Sequence, residues 1–277
     1  MKINIKDPSV ICLGDNCIDR YEYPQRRRFV GGNGVNTAVF AAATGCRTAY
    51  AGAVGNDPEG QAVIDKLREK QIDVSCVQIF SSETAWTDVT FENGERVFGE
   101  EFYDTVYKYQ MTEEVLQYLS GFGIIHNTWM GGTQDKLERI RSKTGSLISM
   151  DFGERYSQEF LDQCIEYTDI AFFSTDFGDI KAAQDFVRSI HERGPRYVVE
   201  TMGKYGAVCS EKGADVYFEP ARKIEIVDTL GAGDTFIGTF LGEFAKGTSL
   251  ADCMKLSTDA AAASCMRSGG FPGCEII

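Results

Sequence analysis

Between Thr112 and Thr201 the chain repeats one pattern four times: a stretch with helical apolar spacing, then a short apolar run of strand length. Helices are predicted at Thr112–Leu119, Gln134–Ser142, Gln158–Glu166 and Asp179–Arg193. Strands are predicted at Ile124–His126, Leu147–Asp151, Ile170–Ser174 and Tyr197–Thr201. Strands joined through helices run parallel, with right-handed crossovers, and a parallel sheet needs helices on both faces. The expected fold is therefore α/β with a mostly parallel central sheet.

The N-terminal part extends the pattern. Ser9–Leu13 reads as a buried strand, Thr37–Thr44 as an alanine-rich helix, Thr48–Val54 as a strand and Gly60–Lys70 as an amphipathic helix. The alternation breaks at Thr84–Phe91 and Arg96–Phe98, which flank Glu92-Asn93-Gly94-Glu95, because Asn-Gly between β-prone runs marks a hairpin. A hairpin inside an α/β chain implies a small separate sheet. With the polar, aromatic-rich excursion Arg20–Arg28, read as a solvated loop or edge strand, it forms an expected lid, with segments near 15–30 and 83–103. The 277 residues then make one domain with an inserted lid.

Charge and cysteine content narrow the function classes. A net charge of −13 opposes a nucleic-acid surface. No apolar run is long enough to span a bilayer. Nine cysteines, an odd number without a CxxC pair, read as reduced thiols in a cytoplasmic protein. With only His126 and His191 there is little material for a zinc site or a Ser-His-Asp hydrolase.

Chemistry concentrates at Ile226-Val-Asp-Thr-Leu-Gly-Ala-Gly-Asp-Thr-Phe236. It reads as a strand end at Ile224 and Ile226, a tight turn, then a helix marked by Phe236, Ile237, Phe240, Leu241 and Phe244 and stopped at Gly247. Gly231, Ala232 and Gly233 bring backbone amides together at a helix N-terminus, which favours an anion. Asp234 in the first turn is poorly suited to bind phosphate itself. It is well suited to take a proton from a hydroxyl that attacks one.

Two further stretches carry polar groups at predicted strand or helix ends. Asp15 and Asp19 follow the first strand; Gly32, Asn33 and Asn36 precede the next helix, and carboxylates with amides suit a polyhydroxyl ligand. Arg96 in the hairpin faces a ligand or pairs with a neighbouring glutamate. Thr201, Gly203 and Gly206 make a glycine-rich connection that suits nucleotide phosphates. Asp151 is singled out by its position at a strand end, and His126, Asn127 and Trp129 follow another. An adenine slot against the Ala260–Ala263 run, in the last helix capped by Ser249, is weighed against plain close packing.

Asp228-Thr-Leu-Gly-Ala-Gly-Asp234 resembles the C-terminal signature of the ribokinase-like PfkB carbohydrate kinases, and Gly31-Gly32-Asn33 with Asn36 resembles their N-terminal glycine motif. Element order agrees from Ser9 to Gly270. Within that family, Gly14–Asp19, Gly31–Asn36 and Arg96-Val-Phe-Gly99 look most like the enzymes acting on fructoselysine-type sugar–amine adducts at the 6-position. The resemblance implies a ribokinase-like three-layer α/β/α sandwich with a small β-sheet lid, ATP as phosphoryl donor and Mg²⁺. It gives Asp234 the role of base, residues 231–233 that of anion hole, Asp15, Asp19, Gly32, Asn33 and Asn36 the sugar, and Thr201, Gly203 and Gly206 the nucleotide. A monovalent cation (K⁺) is implied near Asp228 and Leu230. One departure stands out: the family's Asn-x-x-Glu, tied to metal and phosphate, is replaced by Ser174-Thr-Asp-Phe177, so the metal residues are left unassigned. Asp176 or Asp179 would substitute only with shifted geometry.

The expected partners are a small sugar and ATP, with neither nucleic acid nor membrane, and a homodimer could form through the lid's sheet edge. Acidic lid residues such as Glu92, Glu100 or Glu101 are candidates to meet an amine on the acceptor. Rival readings are the same kinase chemistry on fructose, a keto-deoxy sugar acid or a nucleoside, and a sugar-binding regulator that has lost catalysis. A nicotinamide dehydrogenase is disfavoured, because no GxGxxG follows the first strand.

Overall fold

The structure is a computed structural model that describes residues 7–22, 26–92 and 95–276, with side chains left aside at 91–96. In chain order its elements are β1 (Ser9–Leu13), β2 (Cys17–Tyr21), β3 (Arg27–Gly31), α1 (Asn33–Ala43), β4 (Arg47–Ala51), β5 (Ala53–Gly55) and α2 (Pro58–Glu69). Next come β6 (Gln78–Phe80), β7 (Trp86–Glu92), β8 (Glu95–Phe102), α3 (Glu113–Leu119), β9 (Ile124–Asn127), α4 (Leu137–Lys143), β10 (Leu147–Asp151) and α5 (Gln158–Cys164). Last are β11 (Ile170–Ser174), α6 (Ile180–His191), β12 (Tyr197–Thr201), β13 (Ala207–Glu211), β14 (Tyr217–Glu219), α7 (Ala232–Ala245) and α8 (Leu250–Ser264).

The main sheet has the order β14-β13-β12-β11-β10-β9-β1-β4. From β12 to β4 all neighbours are parallel, and β13 and β14 close the other edge antiparallel. Alternate side chains of the parallel strands feed two cores. Val10, Cys12, Ile124, Phe172 and Val199 pack with α1, α7 and α8, while Ile11, Leu13, Ile125, Phe173 and Val198 pack with α3 to α6. This gives the expected α/β/α sandwich, with the carboxyl ends of its parallel strands on one edge.

A smaller sheet, β3-β2-β7-β8, joins the two expected lid segments. Of the 20–28 excursion, Arg20 and Tyr21 end β2, and Arg27 and Arg28 begin the edge strand β3, while residues 23–25 lie outside the described residues. Arg20 and Arg28 both pair with Glu59 in the first turn of α2, tying this sheet to the body. The outer edge of β3 is covered: Val30 N donates to Cys274 O, Ile276 N donates to Arg28 O, and Arg27 binds Glu275 through both carboxylate oxygens.

Three local expectations need correction. The first helix begins at Asn33, not Thr37. The strand expected at Thr48–Val54 breaks at Gly52 into β4 and β5, and β5 pairs with β6 outside the main sheet. Ile224 and Ile226 belong to no strand, and Val227 and Asp228 instead donate their amides to Cys265 O. Among the described residues no helix is long and apolar enough to cross a membrane.

One packing contact governs the site. On α7, a Cβ at Gly238 would lie 2.4 Å from Thr37 O, and one at Gly242 2.4 Å from the Thr44 hydroxyl oxygen. These glycines let α7 lie directly on α1. The two helix N-termini consequently meet at the carboxyl edge of the sheet.

Candidate active site

α7 starts at Gly231, whose backbone is left-handed (φ 70°). Ala232 N reaches Thr229 O at 3.2 Å and Thr235 N reaches Gly231 O at 2.8 Å, which leaves the amides of Gly233 and Asp234 without backbone acceptors. A Cβ built on Gly233 meets nothing within 4 Å, so the space over this helix end is open. Gly233 borders a cleft of about 480 Å³ that is also lined by Thr201, Gly203, Gly206, Ala232 and, from α8, Ala261. The three residues predicted for the nucleotide thus share one cavity with two from the predicted anion hole. Ile224 and Ile226, misread as a strand, line it too, and Ala261 and Ala262 favour the slot over simple close packing.

Asp234 is buried and accepts from Asn36 Nδ2 at 2.9 Å. Burial holds its carboxyl well above the usual range, at about 8; the Asn36 bond works against this, and Asp151, Asp15 and Asp19 add to it as like charges. Asn36 Oδ1 has no hydrogen-bond partner among the described residues, and a Cβ at Gly270 would lie 2.5 Å from it.

Asp15 follows β1 and is buried. Its carboxylate accepts Asn33 N at 2.7 Å, Gly34 N at 3.4 Å and the Thr128 hydroxyl at 2.6 Å. It therefore caps α1 from outside that helix, which is why α1 can start within a glycine- and asparagine-rich stretch. Burial raises its pKa and these bonds lower it, with a net rise. Gly32 sits at φ 101°, where a Cβ would lie 2.6 Å from Asn16 Cα. Asp19 is buried on β2, and its carboxylate would lie 3.2 Å from a Cβ on Gly31. Asn33 Nδ2 is buried without a hydrogen-bond partner among the described residues. Together with Asn36 Oδ1, it leaves one donor and one acceptor open beside the carboxylates, as a polyhydroxyl ligand requires.

Arg96 lies on β8, but its side chain is outside the described residues, as is that of Glu92. Glu100 and Glu101 are exposed. His126 is fully buried: Nδ1 pairs with the Ser149 hydroxyl at 3.0 Å, and burial lowers its pKa to about 3, the behaviour of a structural histidine. Trp129 is half exposed and lies against Gly153. Sequence reasoning missed Thr128 and Gly270. Thr128 carried a usable signal, since it directly follows strand β9.

An α/β/α sandwich with a small second sheet is the architecture of ribokinase-fold proteins. A ribokinase from Arabidopsis thaliana solved with ribose and ATP superimposes with a TM-score of 0.83 at 17% identity, covering 95% of this chain and 94% of the other. A fructokinase from Xylella fastidiosa with bound ATP gives a TM-score of 0.78 at 20% identity over 96% and 94%. The family follows from the sequence: residues 7–275 match the pfkB family carbohydrate kinase profile, and the chain belongs to that family. It is a sugar kinase, a phosphotransferase with an alcohol group as acceptor, and ATP is a substrate of its family. Similar relatives include the fructoselysine 6-kinase of Shigella flexneri, 29% identical over 94% of this chain and 98% of the relative. The fructosamine kinase of Bacillus subtilis is 28% identical over 95% and 92%.

Proposed function

We propose that the chain transfers the γ-phosphoryl of ATP to the 6-hydroxyl of a fructoselysine-type sugar–amine adduct. The observation that carries this reading is the position of Asp234: a buried carboxylate in the first turn of α7, with the open amides and cleft on one side and the Asp15–Asn33–Asn36 cluster on the other. The amine adduct is favoured by the likeness to fructoselysine and fructosamine kinases over nearly the whole chain.

In this mechanism the nucleotide lies along Thr201, Gly203 and Gly206, with its phosphates directed at the start of α7. Asn33 and Asn36 hold acceptor hydroxyls, with Asp19 beside them, and Asp15 fixes the helix end that carries both amides. Asp234 removes the proton of the attacking hydroxyl as its oxygen bonds to the γ-phosphorus and the bond to ADP breaks. The open amides of Gly233 and Asp234 receive the charge that builds on the transferring group, whereas Ala232 N, expected among them, is taken by Thr229 O. Bound Mg²⁺ would neutralise charge on the phosphates, and because no three His, Cys, Asp or Glu side chains are grouped to hold a metal among the described residues, phosphates and water would supply most of its ligands. A K⁺ is proposed beside Asp228, whose oxygens accept Leu230 N at 2.9 Å and Gly269 N at 3.1 Å.

A cytoplasmic location is part of the proposal, in keeping with nine free cysteines. So is a single domain with the small sheet as lid. A homodimer through the lid would use β8, which carries exposed Val97 and Phe98, because the outer edge of β3 is covered. ADP release on a panel of fructoselysine, fructose, a keto-deoxy sugar acid and a nucleoside tests the acceptor. Highest kcat/KM on fructoselysine is expected, and preference for any other member overturns that assignment.

A further inference from the structure

In the small sheet, β2 and β3 are antiparallel neighbours, and Arg20 lies directly opposite Arg28. Like charges at opposed positions push two strands apart. Here both guanidinium groups reach one carboxylate: Arg20 donates to Glu59 Oε2 at 2.5 Å, and Arg28 donates to Glu59 Oε1. The three side chains are only 13–21% exposed, so solvent screens this cluster less than a surface pair. Arg20 also lies over the Trp86 ring of β7, at 4.3 Å, and is held from two sides. Glu59 itself stands in the first turn of α2, where the helix dipole favours a carboxylate. One residue of the body thus neutralises two opposed charges of the small sheet.

Side chains alternate along a strand, so Asp19, the neighbour of Arg20, points to the other face. There Asp19 Oδ2 would lie 3.2 Å from a Cβ on Gly31, at the end of β3. The chain then passes through Gly32 directly into Asn33 of α1. Asp19 is also close enough to Asp234 to help raise its pKa. The spacing of β2 and β3 therefore sets how the Asp19 carboxylate meets the acceptor cluster. No residue lining the nucleotide cleft comes from β2, β3 or α2.

We infer that Glu59 is a positioning residue for the acceptor. By neutralising Arg20 and Arg28 together it fixes the spacing of β2 and β3, and through them the carboxylate of Asp19. The inference rests on the sugar-kinase reading above, with Asp19 at the acceptor. Its test is the steady-state kinetics of the full chain with Glu59→Gln, which keeps the side-chain shape and removes the charge. KM for the acceptor should rise about tenfold or more, while kcat stays within about threefold and KM for ATP within about twofold. A merely structural role would lower the amount of folded enzyme, and so kcat, and spare both KM values. Arg27→Ala breaks the pair with Glu275 on the same strand, where the two side chains are 43% and 44% exposed, and should leave KM for the acceptor near wild type. Wild-type KM for the acceptor in Glu59→Gln, an equal rise in KM for ATP, or the same rise in Arg27→Ala overturns the inference.

Charge logic supplies a rescue. In Glu59→Gln with Arg28→Gln the opposed charges are gone, so KM for the acceptor should return to within about threefold of wild type. A double variant as impaired as the single one overturns the inference, and it carries the test alone if Glu59→Gln does not fold. The acceptor panel is scored separately. Phosphorylation of fructose or a nucleoside instead of the adduct defeats the acceptor assignment, and the KM comparison on that sugar then decides this inference. If no panel member is phosphorylated, hydrogen exchange decides it. Amides of residues 17–21 and 27–31 should exchange about tenfold faster in Glu59→Gln, with those of β9 to β12 unchanged, and unchanged protection of the small sheet overturns the inference.

Discussion

Asn36 on α1 donates to Asp234 on α7 across 2.9 Å, although the two residues are 198 positions apart in the chain. The bond joins the first turns of α1 and α7, and it exists because Gly238 and Gly242 let the two helices touch. The other groups around Asp234 are carboxylates that raise its pKa, so Asn36 is the contact that favours its ionised form.

Asp234→Asn removes the proton acceptor while keeping the hydrogen bond geometry. Turnover should fall by about 10²- to 10⁴-fold, the range of a general-base contribution. Affinity for a non-hydrolysable ATP analogue should change little. Steady-state kinetics beside calorimetry separates the two effects, and near-normal turnover would refute the base assignment.

The same substitution should stabilise the protein at alkaline pH. Between the ordinary carboxylate pKa of 3.8 and about 8, Asp234 keeps its proton in the folded chain and loses it in the unfolded chain. The folded state then binds more protons, so stability falls as pH rises through that window. Asp234→Asn lacks this loss. Thermal melts should show it above wild type at pH 8 and 9, by up to a few kcal/mol (about 1.4 kcal/mol per pKa unit), with the gap closing towards pH 4.

Activity should rise with pH, because the base must be ionised. The acidic limb of kcat/KM reports the free enzyme and should fall near the raised value of about 8. Asn36→Ala removes a bond that lowers this pKa, so its limb should move to higher pH. A pH–rate profile of the two proteins decides the matter, and a limb that moves lower contradicts the assigned role.

Two glycine substitutions should separate binding from folding. In Gly233→Ala the new methyl enters open space at the start of α7, so the melting temperature should stay within a few degrees while nucleotide affinity drops at least tenfold. In Gly32→Ala the methyl meets Asn16 backbone at 2.6 Å in a left-handed conformation. It should cost about 1–3 kcal/mol or more in stability, with acceptor binding lost. Denaturant melts and nucleotide titrations of both variants check this.

Gly238→Ala tests the packing that brings Asn36 to Asp234. Its Cβ would lie 2.4 Å from Thr37 O, so α1 and α7 must separate. A stability loss of about 1–3 kcal/mol is expected, with a fall in kcat although the residue faces no substrate. Unchanged kcat with lowered stability would show that the Asn36–Asp234 contact survives the shift.

Much of the fold was legible in the sequence because its parallel strands are buried on both faces. Ser9–Leu13, Leu147–Asp151, Ile170–Ser174 and Tyr197–Thr201 have the bounds that their apolar runs predict. Misreadings fall where local pattern and tertiary partner disagree. Ile224 and Ile226 alternate with charged residues like a strand, yet among the described residues no sheet edge receives them and they line the cleft at the start of α7. Glycine and asparagine at 32–36 are poor helix formers by themselves, and only Asp15, arriving from the end of β1, caps the turn that makes them helical.

The sequence by itself therefore determined the alternating architecture, the hairpin of the small sheet, and the residue types able to hold phosphate, hydroxyls and a proton. These follow from periodicity and local turn chemistry, which act over a few residues. The tertiary structure alone decided that Asn36 touches Asp234 and that Asp15 serves as a remote helix cap. Each of those depends on strand order and close helix contact, which bring together groups that no local pattern relates.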